Sequence, residues 1–171
     1  MSDKLKFSII IPSYNEKEDI RLSIESAINQ TYQDREILVV DDSSDNTPEI
    51  IQKYVSYGVK MIKGEKRGCC GARNLGIKTV TGDVVILLNG DVRLPGDFLE
   101  KISKHYNSGA DYVLVEAKAF NLESLWARFI EMQHRYESKK IGQKAEWTEG
   151  FSCRRQAAIS IGLIPGDFKA R

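Results

Sequence analysis

Short apolar runs alternate with longer amphipathic segments over most of the chain. Continuous apolar runs at residues 7–11, 36–40 and 84–88 are typical of strands buried on both faces, and the runs at 59–62 and 112–115 predict shorter strands. Apolar residues at helical spacing predict helices in between, at residues 20–28, 47–57, 72–80 and 95–106. This alternation predicts an α/β fold with a mostly parallel central sheet, right-handed crossovers and helices on both faces.

Beyond residue 117 the pattern changes to one amphipathic segment. Its apolar stripe consists of Leu122, Leu125, Trp126, Phe129, Met132 and Tyr136, and its opposite face carries Arg128, Arg135, Lys139 and Lys140. The more common arrangement of such a stripe is a helix packed on the core. The alternative is a helix over residues 122–140 that lies on a membrane surface, with aromatic side chains among the lipids and basic side chains at the headgroups.

Composition and charge narrow the function classes. The 171 residues suffice for one domain with a full core, and the net charge of +1, from 25 basic and 24 acidic residues, predicts no nucleic-acid partner. The three cysteines predict free thiols, and His105 and His134 are isolated from other metal-type ligands in sequence. No apolar stretch approaches the roughly 20 residues of a membrane span, and no signal-peptide core is seen, so we expect a cytoplasmic protein.

Polar loops follow three of the predicted strands, at residues 12–16, 41–45 and 89–91. Because open α/β sheets bind ligands beyond the carboxyl ends of their strands, these loops predict a binding site at one edge of the sheet. The glycine codes of dinucleotide-binding and P-loop proteins are absent from the sequence. The site is therefore expected to use aromatic and acidic side chains.

Three side chains in these loops suit a nucleotide-sugar. Tyr14 can stack on a base, and Asp42 can accept a hydrogen bond from a base or ribose. Asp91 can hold a divalent cation against a diphosphate.

Five segments of the chain resemble the glycosyltransferase family 2 enzymes of GT-A fold. They are residues 8–16 (SIIIPSYNE), 37–47 (ILVVDDSSDNT), 71–77 (GARNLGI), 82–91 (GDVVILLNGD) and 151–155 (FSCRR), the last followed by Ile161 and Gly162. Their order and spacing cover nearly the whole chain. The resemblance implies one catalytic domain over residues 1–171, with a nucleotide-sugar-binding half at about 1–117 and an acceptor-side half, incomplete at its C-terminus, at about 118–171.

The resemblance also implies a reaction and a set of site residues. The reaction is transfer of a sugar from a nucleotide diphosphate to a glycan or lipid-linked acceptor, with inversion, in cell-envelope or glycan biosynthesis at the inner face of the membrane. Nucleotide-sugar binding is assigned to Pro12, Tyr14, Glu16, Asp42, Arg73, Gly90 and Asp91. Asp91 matches the last carboxylate of the family's D-x-D motif, where Mn²⁺ or Mg²⁺ would stabilise charge on the departing diphosphate.

Two departures from the family pattern bear on the chemistry. Asn89 stands where the leading Asp of D-x-D is expected, and it keeps a carbonyl ligand for the metal but loses a charge, which leaves metal dependence open. Many inverting members also carry their general base in a Glu-Asp pair shortly after the segment matching residues 161–165, and this sequence ends at Arg171. Glu149 is then the best candidate base, with a solvated loop acid as the alternative, and Asp167 matches a structural turn acid. A phosphate acceptor would require no base.

Structural interpretations of these side chains remain open. Tyr14 also suits packing over the sheet edge, and Arg73 suits pairing with a nearby acid. Asp41 is better explained as a residue that bonds loop amides, and Asp45 and Thr47 as helix-cap residues.

Two other function classes also fit the chain. A non-catalytic nucleotide-sugar-binding module is motivated by the altered D-x-D motif and the missing base segment. A sugar nucleotidyltransferase would share the sheet and the metal acid, but such enzymes usually carry a glycine-rich basic loop after the first strand, which this chain lacks.

Overall fold

A computed structural model describes residues 4–115, 118–119, 122–125, 127–129, 131–132 and 150–165. Within these residues one six-stranded sheet has the order β3-β2-β1-β4-β6-β5. The strands are β1 (Phe7–Ser13), β2 (Arg35–Asp41), β3 (Val59–Lys63), β4 (Val84–Leu87), β5 (Tyr112–Val113) and β6 (Phe151–Arg154). The helices are α1 (Ile20–Ile28), α2 (Thr47–Gln52), α3 (Gly68–Thr79), α4 (Phe98–Asn107) and α5 (Arg155–Ser160), with a 3₁₀ turn at Val55–Tyr57.

The central strand β1 confirms the prediction of a strand buried on both faces. All seven of its residues are buried, and it pairs in parallel with β2 on one side and β4 on the other. Ile9, for example, lies opposite both Ile37 and Ile86. The strand runs two residues further than predicted because Pro12 and Ser13 still pair with β2.

Two apolar cores cover the two faces of the sheet, as the alternation of strands and helices predicts. On one face Ile9 and Ile86 pack with residues of α1, α2 and α4. On the other, Ile10 and Val85 pack with residues of α3 and α5. The helices cover the two faces of the sheet, so the two ends of the strands are the places left for loops.

The far side of the sheet differs from the prediction. Residues 151–154, recognised in the sequence only as a motif, form β6, which lies antiparallel to β4. The strand predicted at 112–115 is shorter, because β5 pairs only through Tyr112 and Val113 with β6. Tyr112 is 62% exposed, as suits an edge strand. The sheet is therefore parallel from β3 to β4 and antiparallel beyond.

In the amphipathic segment after residue 117, residues 125, 127–129, 131 and 132 are helical, whereas the described residues 122–124 form a turn and a bend. Core packing of its stripe is not seen there, since Leu125 is 78% and Met132 63% exposed. The stripe residues Trp126 and Tyr136 and the basic residues Arg135, Lys139 and Lys140 lie outside the described residues. Among the helices that are described, none is both long and apolar enough to cross a bilayer.

At the amino ends of the strands, a network of hydrogen bonds surrounds Glu36 on β2. Its Oε1 accepts hydrogen bonds from the Ser8 hydroxyl at 2.8 Å and from the backbone N–H groups of Thr81 at 2.7 Å and Gly82 at 3.1 Å. Lys60 Nζ lies 3.3 Å from Oε2. Burial alone would raise the pKa of Glu36, but these donors lower it to about 2. At the amino ends of the strands, the partners of the charged Glu36 therefore belong to the protein itself. We call these strand ends the closed edge of the sheet and the opposite, carboxyl ends the open edge.

Candidate functional site

A cleft of about 690 Å³ lies at the opposite edge, beyond the carboxyl ends of β1, β2 and β4. Its lining includes Pro12, Tyr14, Glu16, Asp42, Gly90 and Asp91, which are all of the predicted donor-site residues except Arg73, together with Asn89. The three polar loops predicted to meet at one edge of the sheet therefore do so. The start of α3 completes the wall with Gly68, Cys69 and Ala72.

The loop after β1 presents Tyr14 to the solvent side of the cleft. Its side chain is 66% exposed, so packing over the sheet edge does not account for it. The neighbouring Asn15 has φ +56°, a left-handed conformation that asparagine tolerates better than most residues. Asn15 Oδ1 accepts a hydrogen bond from the N–H of Ser44 at 2.9 Å, and its own N–H donates to the Ser43 hydroxyl at 2.8 Å. Asn15 thus ties the first loop to the second, a role that sequence reasoning missed.

The loop after β2 separates a structural acid from one that faces the cleft. Asp41 is 7% exposed and accepts hydrogen bonds from the hydroxyl of Ser43 at 2.7 Å and its N–H at 3.3 Å, as expected for a loop-building residue. Asp42 lines the cleft, and both its oxygens lie 3.1 Å from the backbone N–H of Lys66. A Cβ at Gly64 would lie 2.5 Å from the Asp42 carboxyl carbon, so the position of Asp42 depends on glycine at residue 64.

At the start of α2, Asp45 accepts hydrogen bonds from the Thr47 N–H at 3.0 Å and the Thr47 hydroxyl at 2.6 Å. The expectation that Asp45 and Thr47 cap this helix is wrong, because its N-cap is Asn46; the two residues instead bond each other at the helix start. The carboxylate of Asp45 is thus hydrogen-bonded within the protein, although its charge still acts on Glu16 in the cleft.

The loop after β4 contains a contact that the sequence did not predict. Arg73, on α3 and 8% exposed, donates from Nη2 to Asn89 Oδ1 at 2.7 Å. Among the described residues Arg73 bonds to a neutral amide and pairs with no acid, contrary to the pairing with an acid that its position suggested. The Nε of the same guanidinium is buried without a hydrogen-bond partner. Arg73 therefore does not line the cleft itself but is hydrogen-bonded to Asn89, which does.

A buried serine on α1 holds the same loop from beneath. The Ser23 hydroxyl is fully buried and lies 2.6 Å from the carbonyl oxygens of both Gly90 and Val92. Sequence reasoning missed this residue, although a polar side chain on the apolar face of a predicted helix was the available signal. Ser23 fixes the loop that carries Asn89 and Asp91.

Acidic side chains converge in the cleft. Burial, and then the negative charges of Asp91, Asp19 and Asp45, raise the pKa of Glu16. Close packing contributes, because a Cβ at Gly90 would lie only 3.0 Å from Glu16 Cγ. This part of the cleft thus favours a bound cation or a shared proton.

The cation site itself is only partly built by the described residues. They contain no cluster of three or more His, Cys, Asp or Glu side chains suited to a metal ion. The exposed carboxylate of Asp91 is available as a ligand, whereas the carbonyl oxygen of Asn89 already accepts from Arg73. Such a site resembles those in which Mg²⁺ is held by one or two carboxylates plus substrate phosphates.

The predicted general base is Glu149. Glu149, like Asp167 and His134, lies outside the described residues. The next residue, Gly150, donates its N–H to the Leu87 carbonyl at 3.1 Å, at the carboxyl end of β4.

Solved structures of glycosyltransferases share this fold. A mannosyltransferase from Pyrobaculum calidifontis in complex with GDP-Man and Mn²⁺ superimposes with a TM-score of 0.76 at 22% identity, over 97% of this chain and 49% of that one. S. aureus TarS 1–349 in complex with UDP matches with a TM-score of 0.64 at 28% identity, over 68% of this chain and 37% of that one. The molecule is thus an α/β protein of GT-A fold.

The sequence comparisons define the family. The profile described as Glycosyl transferase family 2 matches residues 8–164. An Escherichia coli relative, UDP-Glc:alpha-D-GlcNAc-diphosphoundecaprenol beta-1,3-glucosyltransferase WfgD, is 33% identical over 134 residues, which are 77% of this chain and 53% of the relative. The chain belongs to glycosyltransferase family 2. It spans about half the length of this relative.

Proposed function

We propose that this chain is the nucleotide-sugar-binding and catalytic domain of an inverting glycosyltransferase. The observation that carries the proposal is the meeting of Tyr14, Asp42 and Asp91 around one cleft at the carboxyl edge of the sheet. Each comes from a different loop, and each offers a different chemistry. Residues 1–117 form the donor half in this proposal and residues 118–171 the acceptor side.

The nucleoside lies between Tyr14 and Asp42. The exposed ring of Tyr14 offers a stacking face for the base. The carboxylate of Asp42, held by the Lys66 N–H, accepts from the base or the ribose. Pro12 contributes an apolar wall beside them.

The diphosphate lies along the loop of Asn89, Gly90 and Asp91. A divalent cation, held by Asp91 and the diphosphate itself, would neutralise the charge that develops on the leaving group. Glu16 adds negative charge beside Asp91. Burial is the main cause of the raised pKa of Glu16, but the charges of Asp91, Asp19 and Asp45 also raise it, and these charges support attraction of a cation to this end of the cleft. The TarS structure contains UDP, the mannosyltransferase structure contains GDP-Man, and the Escherichia coli relative is named for UDP-Glc, which supports a nucleoside diphosphate here.

The acceptor is a lipid-linked glycan, at the inner face of the membrane. Support comes from the relative whose name specifies a GlcNAc-diphosphoundecaprenol acceptor. The exposed Leu125 and Met132, with the exposed Arg128 near them in sequence, suit a helix that touches a lipid surface. For a hydroxyl acceptor Glu149 is the candidate base, while a phosphate acceptor would need none.

The test is a transfer assay with radiolabelled UDP-, GDP- and dTDP-sugars and a bacterial lipid extract as acceptor. The wild type is expected to label a lipid product, and Asp91→Asn is expected to lower the rate by about a hundredfold or more, since it removes the carboxylate that would hold a divalent cation against the diphosphate. Because Asp91 is exposed, its substitution should leave the unfolding temperature nearly unchanged.

The matched control is Asp97→Asn, which removes a carboxylate paired with Lys101 outside the cleft. This variant should turn over like the wild type. Equal activity of Asp91→Asn and the wild type would refute the assignment of Asp91. A non-catalytic binding module, which the Arg73–Asn89 pairing motivates, predicts donor binding with neither transfer nor hydrolysis in every variant.

A further inference from the structure

Arg73 carries a buried positive charge whose hydrogen-bond partner among the described residues is neutral. Its side chain is 8% exposed, Nη2 donates to Asn89 Oδ1 at 2.7 Å, and Nε has no hydrogen-bond partner. Within the described part of the chain no carboxylate forms a salt bridge with this guanidinium. A buried charge in this condition is costly, and an anion brought close to it would recover part of the cost.

The charge of Arg73 reaches the cleft wall. Asn89, its hydrogen-bond partner, lines the cleft next to Asp91. Cys69, one turn earlier on α3, also lines the cleft and gives an independent indication. Cys69 is exposed, yet partial loss of water around its thiol raises the pKa of Cys69, and the positive charge of Arg73 acts against that rise.

Asn89 preserves the geometry of an ion pair without its neutralising charge. An aspartate at this position would have the same shape and would place a carboxylate oxygen against Nη2 of Arg73. The net charge of the pair would then be zero, whereas the pair of Arg73 with Asn89 has a net charge of +1. Residue 89 therefore sets the electrostatic potential at this end of the cleft.

We propose that Arg73, left unneutralised by Asn89, supplies a fixed positive charge to the diphosphate of the donor, so that this chain binds nucleoside diphosphates substantially without a divalent cation. This inference rests on the proposed function, since it takes the cleft to be a nucleotide-sugar site. It makes Arg73 a specificity-determining residue for the diphosphate and Asn89 the residue that keeps its charge available.

The experiment is calorimetric titration of the whole chain with UDP, GDP and dTDP and with the matching nucleosides, in EDTA and in Mn²⁺. The readout is the ratio of the nucleoside Kd to the diphosphate Kd, which isolates the contribution of the phosphates. In EDTA the wild type is expected to bind one diphosphate about tenfold or more tighter than its nucleoside, the size expected of a hydrogen bond to a charged group. Asn89→Asp should remove most of that ratio in EDTA and leave nucleoside affinity unchanged.

Two further variants sharpen the test. Asn107→Asp makes the same chemical change at an exposed residue at the end of α4, and it should keep the wild-type ratio. Arg73→Gln should lower the ratio in EDTA as Asn89→Asp does, with folding checked by circular dichroism. In Mn²⁺, Asn89→Asp should recover diphosphate affinity, because it adds a carboxylate ligand while cancelling the charge of Arg73.

The outcomes separate this inference from the proposed function. If the wild type binds a diphosphate only in Mn²⁺, or if Asn89→Asp keeps the wild-type ratio in EDTA, the role of Arg73 is refuted while the nucleotide site stands. If neither nucleosides nor diphosphates bind the wild type in either buffer, the proposed function fails, and the inference fails with it.

Discussion

Folding shifts the pKa values of two glutamates, which lie at opposite ends of the strands of one sheet, in opposite directions. Glu36, at the amino ends of the strands, has a pKa lowered to about 2, because hydrogen bonds from Thr81, Ser8 and Lys60 outweigh its burial. Glu16, at the carboxyl ends, has a raised pKa, because burial and the charge of Asp91 act together. The same residue type thus stabilises one edge and makes the other an electrostatic site for ligands.

The difference lies in where the partners of each charge are. The neutralising groups of Glu36 are part of the fold, so that edge needs nothing from outside. At the cleft, acidic groups surround Glu16, while the hydrogen-bond partner of Arg73 among the described residues is a neutral amide. In the proposed function, a nucleoside diphosphate would meet the charge of Arg73, and a divalent cation would meet the charge of the acids.

The largest expected effect on stability comes from breaking the closed edge. Glu36→Gln should lower the free energy of unfolding at pH 7 by about 2 kcal/mol, since a carboxylate with a lowered pKa contributes stability that its amide cannot. Because the folded pKa is below the ordinary value of 4.5, this stability is present above pH 4.5 and is lost as the pH falls toward 2. The wild type should therefore destabilise more steeply than the variant across that range in urea unfolding.

The control is Glu100→Gln, at an exposed residue on α4, which should change little. Donor affinity of Glu36→Gln, measured where it remains folded, should match the wild type. Parallel pH profiles of wild type and Glu36→Gln would contradict the assignment of Glu36 as the charge that closes this edge.

An effect of comparable size, confined to binding, is expected at the open edge. Tyr14→Ala should weaken nucleoside binding by about 1 to 3 kcal/mol, the range measured for a base stacked on an aromatic ring. Because the ring is 66% exposed, the unfolding temperature should barely move. Tyr14→Phe keeps the ring and should bind like the wild type. Unchanged nucleoside affinity of Tyr14→Ala would show that the base does not stack on Tyr14.

The sequence predicted where the site lies, at the carboxyl ends of the strands, better than it predicted the contacts within the site. Continuous apolar runs identify buried parallel strands, and the loops that follow them must meet at one edge, so Tyr14, Asp42 and Asp91 could be placed before the structure. Local pattern also predicted the role of Asp41. These inferences depend on periodicity and on neighbours in sequence.

Contacts between distant segments were not predictable in the same way. Arg73 and Asn89 are 16 positions apart, and Ser23 bonds to a carbonyl 67 positions away. The antiparallel strand β6 joins β4 across a comparable gap, and no turn signal connects them. Such pairings follow from the three-dimensional arrangement of α1 and α3 around the sheet, which single-sequence patterns do not specify.

The most direct test of the central claim, a nucleotide-sugar site at the carboxyl edge, is thermal unfolding of this chain with UDP-, GDP- and dTDP-sugars, each in EDTA and in Mn²⁺. A ligand at 100 times its Kd adds about 2.7 kcal/mol of stability. The account predicts that one nucleotide family raises the unfolding temperature, and that Tyr14→Ala reduces this shift while Glu36→Gln keeps it. No shift with any donor in either buffer would contradict the account.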